Sequence, residues 1–162
     1  MALIAMTVHD TVEHVSDLDP CKKKTKVPVD PNDPSKGMKD EVTIEEGATK
    51  FFLKPLDVFL MGYIYDNASS LSGKQGSDEI GIKTRVNQTN IDAVRHGLAG
   101  FSNFKDAKGN DIPFQTVKVQ VNGREYEVAD DATMSKVGIR LTQELGARIK
   151  EISEVSADEE KN

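Results

Sequence analysis

The sequence predicts an α+β domain with a small antiparallel sheet that contains a β-hairpin, two to three packed helices and an extended N-terminal arm. The strongest strand signal is TVKVQVNGREYEV, residues 116–128, where apolar and polar residues alternate on both sides of Asn122-Gly123. An Asn-Gly pair between alternating segments favours a two-residue type I′ hairpin. Apolar residues recur at helical spacing in residues 55–71 and 137–155. At 162 residues, the chain fits one such domain plus an arm.

The first 40 residues are predicted to form the extended N-terminal arm. Residues 1–19 alternate loosely between apolar and polar side chains, which indicates a strand or an extended segment. Residues 19–40 hold four of the six prolines and many lysines and aspartates. Because proline fixes φ and lacks a backbone donor, we expect a long loop or an extended arm here. The lysine cluster at 22–26 is interpreted as a solvated surface rather than a phosphate site.

Residues 41–155 are predicted to form the α+β domain itself. Two strands, at 41–44 and 48–54, are separated by a turn that contains Gly47. A third short strand is predicted at 79–86, where β-branched residues are frequent.

The first predicted helix runs over 55–71 and begins at Pro55, since proline suits the first turn of a helix. Apolar residues lie on most of its sides, which predicts a helix that is buried or shared with a neighbouring subunit. Its predicted buried face carries Leu56, Phe59, Leu60, Tyr63 and Leu71.

The second predicted helix runs over 87–100, with Thr89 or Asn90 as its N-cap. Gly97 or Gly100 is expected to end it in the left-handed conformation that glycine adopts at little cost. The Phe-rich segment that follows is interpreted as a connector back to a buried strand.

The last predicted helix covers 137–155 and follows a short helical turn at 129–136. Glu144 and Arg148 have the spacing of an i,i+4 ion pair. Gly146 is unfavourable inside a helix and therefore indicates close packing against another element. The apolar stripe of this helix is predicted to comprise Ile139, Leu145, Ile149 and Ile152, with Leu141 beside them.

Composition limits the classes of function. The net charge of −6 and the pI of about 5.1 argue against specific nucleic-acid binding. The single cysteine, Cys21, excludes an internal disulfide and indicates a reducing cytosol. The N-terminus does not have the pattern of a signal peptide, and no apolar run approaches the ~18 residues of a membrane span. Residues 156–162 are expected to be an acidic, solvated tail.

Catalytic signals are weak. The three histidines have no second ligand at metal-binding spacing, and no nucleophile–base pattern is present. The prediction is therefore a protein that is not an enzyme and has no cofactor or metal. A small cytosolic enzyme or ligand-binding domain stays open as an alternative.

Three segments together resemble a known family. They are FFLKPLDVFLMGYI (51–64), VRHGLAGFSNFKDAKGNDIPF (94–114) and LTQELGARIKEISEVSADEEKN (141–162). In order and spacing they are similar to small proteins encoded among the head and tail morphogenesis genes of tailed bacteriophages. The resemblance covers roughly residues 48–114 and 139–162. Phe101 stands where the family pattern leads us to expect Trp, and residues 1–40 have no counterpart.

The resemblance implies a non-enzymatic role in phage particle assembly, with other phage structural proteins and copies of itself as partners. A virion structural protein would occur in the host cytoplasm during assembly and then in the virion. A tail assembly chaperone, absent from the mature particle, is the alternative. Neither role implies specific nucleic-acid binding or a membrane. The candidate partner contacts are Lys22, Lys23, Lys24, Val27, Val29, Phe59, Tyr63, Tyr65, Phe101, Phe104 and Phe114.

Overall fold

The computed structural model describes residues 10–72 and 78–154 and confirms the α+β fold class. Within this part of the chain the strands are β1 (Val12–His14), β2 (Lys22–Pro28), β3 (Met38–Ile44), β4 (Lys50–Leu53), β5 (Leu98–Ser102), β6 (Thr116–Val121) and β7 (Arg124–Ala129). The α-helices are α1 (Val58–Ser72), α2 (Asp78–Gly97) and α3 (Asp131–Glu154), and a single 3₁₀ turn covers Pro34–Lys36.

The strands form three small antiparallel sheets. The central sheet has the order β1-β4-β5, and the other two are the hairpins β2–β3 and β6–β7. The core lies between the central sheet and the helices, where α2 packs along α3 and against α1. Its fully buried side chains include Phe51, Leu53, Ile64, Leu145 and Ile149.

The C-terminal hairpin confirms the strongest sequence signal. β6 pairs with β7 from Thr116 opposite Ala129 to Val121 opposite Arg124. Asn122 and Gly123 have φ of 49° and 79°, and a type I′ turn requires positive φ at both central residues.

The predicted arm is extended, and much of it is paired with itself as two strands. Residues 22–28 and 38–44 pair over their whole length as β2 and β3, although the first segment contains Pro28 at its end. Proline is tolerated there because both strands are edge strands. The predicted boundary between arm and domain, at residue 40, falls inside β3. We call residues 22–44, which comprise these two strands and the tip that joins them, the ribbon.

The predicted strand at 79–86 is wrong, because α2 already begins at Asp78. A short β-branched run is typical of both a strand and a helix, and periodicity does not separate them. Because α2 begins at Asp78, Thr89 and Asn90 lie inside the helix and do not form its N-cap. Both are buried and contact Lys150 of α3.

Helix α2 ends at Gly97 as predicted, but not through a left-handed glycine. A Cβ at Gly97 would lie 2.5 Å from Ile149 Cγ2, so this glycine leaves room for the Ile149 side chain of α3. The next residues form β5, which pairs with β4, and the predicted 87–100 helix is thus too long by three residues.

Helix α1 begins three residues later than predicted, at Val58. Asp57 caps it, since the Leu60 N–H donates to Asp57 Oδ1 at 2.8 Å. Leu60 is buried as predicted, but the predicted burial of Phe59 is wrong: 55% of this residue is exposed.

Helix α3 is divided at Gly138, whose φ of 75° and ψ of 169° are not helical. The predicted short turn and long helix therefore both exist, joined by a kink. Leu145, Ile149 and Ile152 form the buried stripe, whereas Ile139, directly after the kink, is 53% exposed, contrary to prediction.

Two further predictions for α3 have opposite outcomes. The Glu144–Arg148 ion pair does not form, because Glu144 bonds to the N-terminal segment and Arg148 Nη1 lies 2.9 Å from Glu151 Oε2. The close packing at Gly146 is confirmed, since a Cβ there would lie 2.8 Å from Asn90 Cα.

Candidate subunit-contact surfaces

The ribbon is the most exposed element of the described chain. Every residue of β3 is exposed, and β2 is exposed from Lys23 to Lys26. Lys22 lies opposite Ile44 and Pro28 lies opposite Met38, so the two strands cover each other's inner edges only. Neither outer edge pairs with another strand of the described chain, and most residues on both faces are exposed.

One face of the ribbon combines apolar and basic side chains. Cross-strand partners of an antiparallel pair point to the same face, and Val42 faces Lys24 while Ile44 faces Lys22. Met38, Val42 and Ile44 are 56%, 49% and 49% exposed. We call this surface the apolar face of the ribbon; Lys22 and Lys24 on it pair with Asp17, and Asp40 lies on the same face opposite Lys26.

Two of the predicted contact lysines fix the base of the ribbon to the domain. Lys22 Nζ donates to the Val15 carbonyl at 3.0 Å and lies 2.7 Å from Asp17 Oδ1. Lys24 Nζ lies 3.4 Å from the same oxygen. The hydrogen bond from Lys22 lowers the pKa of Asp17, against the opposing effect of burial and with a further contribution from Lys24.

The third predicted lysine is also paired. Lys23 Nζ lies 2.5 Å from Glu45 Oε1, and this contact raises the pKa of Lys23. Both side chains are about half exposed, so the pair contributes little to stability. Lys26, two residues beyond Lys24 along β2, has no ion pair within the described chain and is available to a partner.

The two predicted valine contacts lie near the tip of the ribbon. Val27 is half-buried, faces Lys39 and belongs to the face opposite Val42. Val29 is 48% exposed, and its N–H donates to the Gly37 carbonyl at 3.0 Å. The two valines therefore differ in exposure, with Val27 half-buried and Val29 open to solvent.

Helix α1 presents a second exposed apolar surface. Val58 is 76% and Phe59 is 55% exposed, and the Arg124 guanidinium lies 3.7 Å from the centre of the Phe59 ring. Tyr63 instead packs half-buried on the core. Tyr65 donates a hydrogen bond to Glu154, and burial together with Glu154 raises the pKa of Tyr65 to about 12.

The three remaining candidates are engaged inside the domain. Phe101 lies edge-to-face with Phe104 and Phe114 at centroid distances of 5.0 and 5.4 Å, and Phe104 lies 5.4 Å from Phe51. All three are half-buried. They pack the segment after β5 against the central sheet, and each ring stays partly exposed.

A cleft lies between the base of the ribbon and the aromatic cluster. Its volume of about 520 Å³ is within the usual range for binding pockets. The chain segments around it come from both ends of the ribbon, from β4, from the segment after β5 and from α3. The lining residues are Ser16, Leu18, Asp19, Pro20, Cys21, Gly47, Thr49, Phe51, Asn103, Phe104, Lys105 and Leu141.

The titratable side chains of the cleft are engaged by neighbouring groups. Burial and the neighbouring Asp19 carboxylate raise the pKa of the Cys21 thiol, so Cys21 is a poor nucleophile near neutral pH. Lys105 is paired with Asp111 at 2.7 Å. Across residues 10–72 and 78–154, no cluster of three histidine, cysteine or acidic residues could hold a metal.

The position of the N-terminal segment depends on Glu144, which sequence reasoning assigned to another partner. Its carboxylate accepts hydrogen bonds from His14 Nε2 at 2.8 Å, Ser16 Oγ at 2.8 Å and the Asp17 N–H at 2.9 Å. Burial raises the pKa of Glu144, but these hydrogen bonds outweigh it and lower the pKa overall. About 130 residues separate His14 from Glu144 in the sequence, so no local pattern indicated this contact.

Comparison of the chain with family models, with curated protein sequences and with solved structures gives no match. Within the described residues, no helix has the length and apolar character needed to cross a membrane.

Proposed function

We propose that this chain is a non-enzymatic structural or assembly protein that acts through subunit contacts, as in the head and tail morphogenesis proteins of tailed bacteriophages. The observation that carries the proposal is the ribbon. A two-stranded hairpin is marginally stable by itself in water, and this one exposes apolar side chains along one face. Such a surface is stabilised when a partner covers it.

Charge favours another copy of the chain as one partner. The ribbon, 22–44, has six lysines against four acidic residues and so a net charge of +2, whereas the whole chain has −6. The remaining residues therefore carry −8. A basic ribbon and an acidic remainder attract each other between copies, which guides association.

We propose a phage particle as the assembly because residues 48–114 and 139–162 resemble phage morphogenesis proteins. The lining of the cleft supports the non-enzymatic part of the proposal, because its thiol is held in the protonated form and its lysine is paired.

Mass spectrometry of purified particles of the source virus tests this function. A virion component should give peptides of this chain at high copy number. Absence from particles, with presence in the lysate of infected cells, would favour the tail assembly chaperone. Absence from both would overturn the proposal.

A further inference from the structure

The cleft at the base of the ribbon offers an apolar surface, because its polar groups already bond to one another. Asp19 Oδ1 accepts from the Cys21 N–H at 2.8 Å, and Asp19 Oδ2 accepts from the Thr49 N–H at 2.7 Å. The Thr49 hydroxyl donates to the Asn103 carbonyl at 2.9 Å, and the Asn103 amide donates to the Gly47 carbonyl. A sugar or a phosphate would find few free partners here.

The cleft is large enough for several apolar side chains. The apolar side chains that line the cleft include Leu18, Phe51, Phe104 and Leu141. A volume of about 520 Å³ exceeds that of one side chain, so the cleft suits a short apolar peptide segment. Leu18 is 52% exposed, which leaves it uncovered in the single chain.

The chain itself contains such a segment outside the described residues. Residues 1–9, MALIAMTVH, include seven apolar side chains and no Asp, Glu, Lys or Arg. Nine residues span up to about 30 Å when extended. This length is greater than that of β1 and lets the segment reach a cleft on an adjacent copy.

The direction of β1 points to a second copy. β1 runs antiparallel to β4, with Val12 opposite Leu53 and His14 opposite Phe51. Phe51 lines the cleft, so the chain approaches the cleft as it runs from residue 12 to residue 16. Residue 10 is therefore at the far end of β1, about 20 Å away at ~3.3 Å per extended residue. A return to the same cleft would need a reversal within nine residues.

We propose that the cleft binds residues 1–9 of a second copy of this chain. The inference rests on the proposed function in one respect, since it specifies a contact between copies. Each copy then offers one segment and one cleft. Reciprocal exchange of segments between two copies closes a twofold dimer, whereas exchange in one direction generates a ring or a filament.

Disulfide trapping in the full-length chain tests the proposal. Cys21 is the only cysteine and lines the cleft, so Leu3→Cys adds one partner thiol in the proposed occupant. Under a mild thiol oxidant such as diamide, we expect disulfide-linked chains that contain a 3–21 linkage, identified by mass spectrometry of non-reduced peptides. The unchanged protein under the same oxidant sets the background.

Two variants on the Leu3→Cys background control for specificity. Leu18→Gln removes an apolar contact of the cleft without adding charge, and we expect loss of the linked chains. Val117→Gln makes the same kind of change at a 46% exposed site on β6, and the linkage should persist. Circular dichroism of each variant establishes that the fold is retained.

Two results would overturn the inference. A 3–21 disulfide inside single chains would show that the segment binds its own cleft. Yields no higher than in the unchanged protein, or equal yields from the Leu18→Gln and Val117→Gln variants, would show that the segment does not bind there. Either result leaves the proposed function intact if the chain is found at high copy number in particles.

Discussion

Glu144 connects the N-terminal segment to α3 through three hydrogen bonds. Truncation by Glu144→Ala leaves the donors of His14, Ser16 and Asp17 without their acceptor, and we expect a loss of about 1–3 kcal/mol in the free energy of unfolding. Urea unfolding measures the loss, and hydrogen exchange should increase at residues 12–17. Glu144→Gln keeps an acceptor oxygen and should lose less; equal losses in both variants would contradict the hydrogen-bonding argument.

His96 is the second residue with a distinct effect on stability. It is 8% exposed, its Nδ1 has no hydrogen-bond partner within the described chain, and its ring lies edge-to-face with Tyr126. Burial, together with the positive charges of Arg95 and Lys54 and against the opposing effect of Asp57, lowers the pKa of His96 to about 4.

The pH dependence follows from this low pKa. His96 binds a proton in the unfolded chain near pH 6.5, but in the folded chain only near pH 4. Stability is therefore complete above pH 6.5 and falls as the pH falls towards 4, by at most about 3 kcal/mol. Urea unfolding at several pH values measures this fall. His96→Leu should remove it between pH 6.5 and 4, and parallel curves for the two proteins would contradict the assignment.

At the scale of elements, the sequence predicted the features that a few neighbouring residues determine. Asn122-Gly123 determined the C-terminal hairpin, and Gly146 indicated a close helix contact before its partner was known. The start of α2 and the exposure of Phe59 depend on which surfaces α1, α2 and α3 turn towards each other. Since those surfaces come from distant parts of the chain, periodicity within one segment could not predict them.

The candidate surfaces show the same limit. Sequence reasoning found lysines and valines of the ribbon, but not the pairing that places Met38, Val42 and Ile44 on one face. Proline suggested an unpaired arm because its effect is local, whereas strand pairing is not. The cleft was missed altogether, since its lining is collected from separate segments of the chain.

The contact between α2 and α3 gives a prediction at the element scale. Gly146→Ala would place a Cβ 2.8 Å from the Cα and Cβ of Asn90, so the helices must separate. Overpacking of this kind costs about 1–3 kcal/mol, which should exceed the helix-propensity gain of about 1 kcal/mol. Gly62→Ala is a matched control on α1, since nothing lies within 4 Å of a Cβ there. Thermal unfolding should show a lower Tm for the first variant and an unchanged or higher Tm for the second; a higher Tm for both would contradict the close packing.

At the scale of the whole molecule, a compact acidic domain carries a projecting basic ribbon, and the two faces of that ribbon differ. Val42 and Thr43 are adjacent exposed residues of β3, and each faces a lysine of β2, Lys24 or Lys23. Val42→Asp and Thr43→Asp therefore introduce the same charge in similar surroundings, but on opposite faces. Both should fold with similar Tm, because neither side chain is part of the core.

Association should distinguish the two variants. Val42→Asp replaces an apolar contact on the face proposed to meet a partner, and burial of an aspartate without a matched cation is unfavourable. We expect Val42→Asp to weaken association in sedimentation velocity and native mass spectrometry, and to lower incorporation into particles, whereas Thr43→Asp should behave as the unchanged protein. If both variants assemble normally, the apolar face of the ribbon is not a contact surface. If both variants fold but fail to assemble to the same extent, association does not depend on which face carries the charge. The edges of the ribbon, rather than its faces, would then have to form the contact.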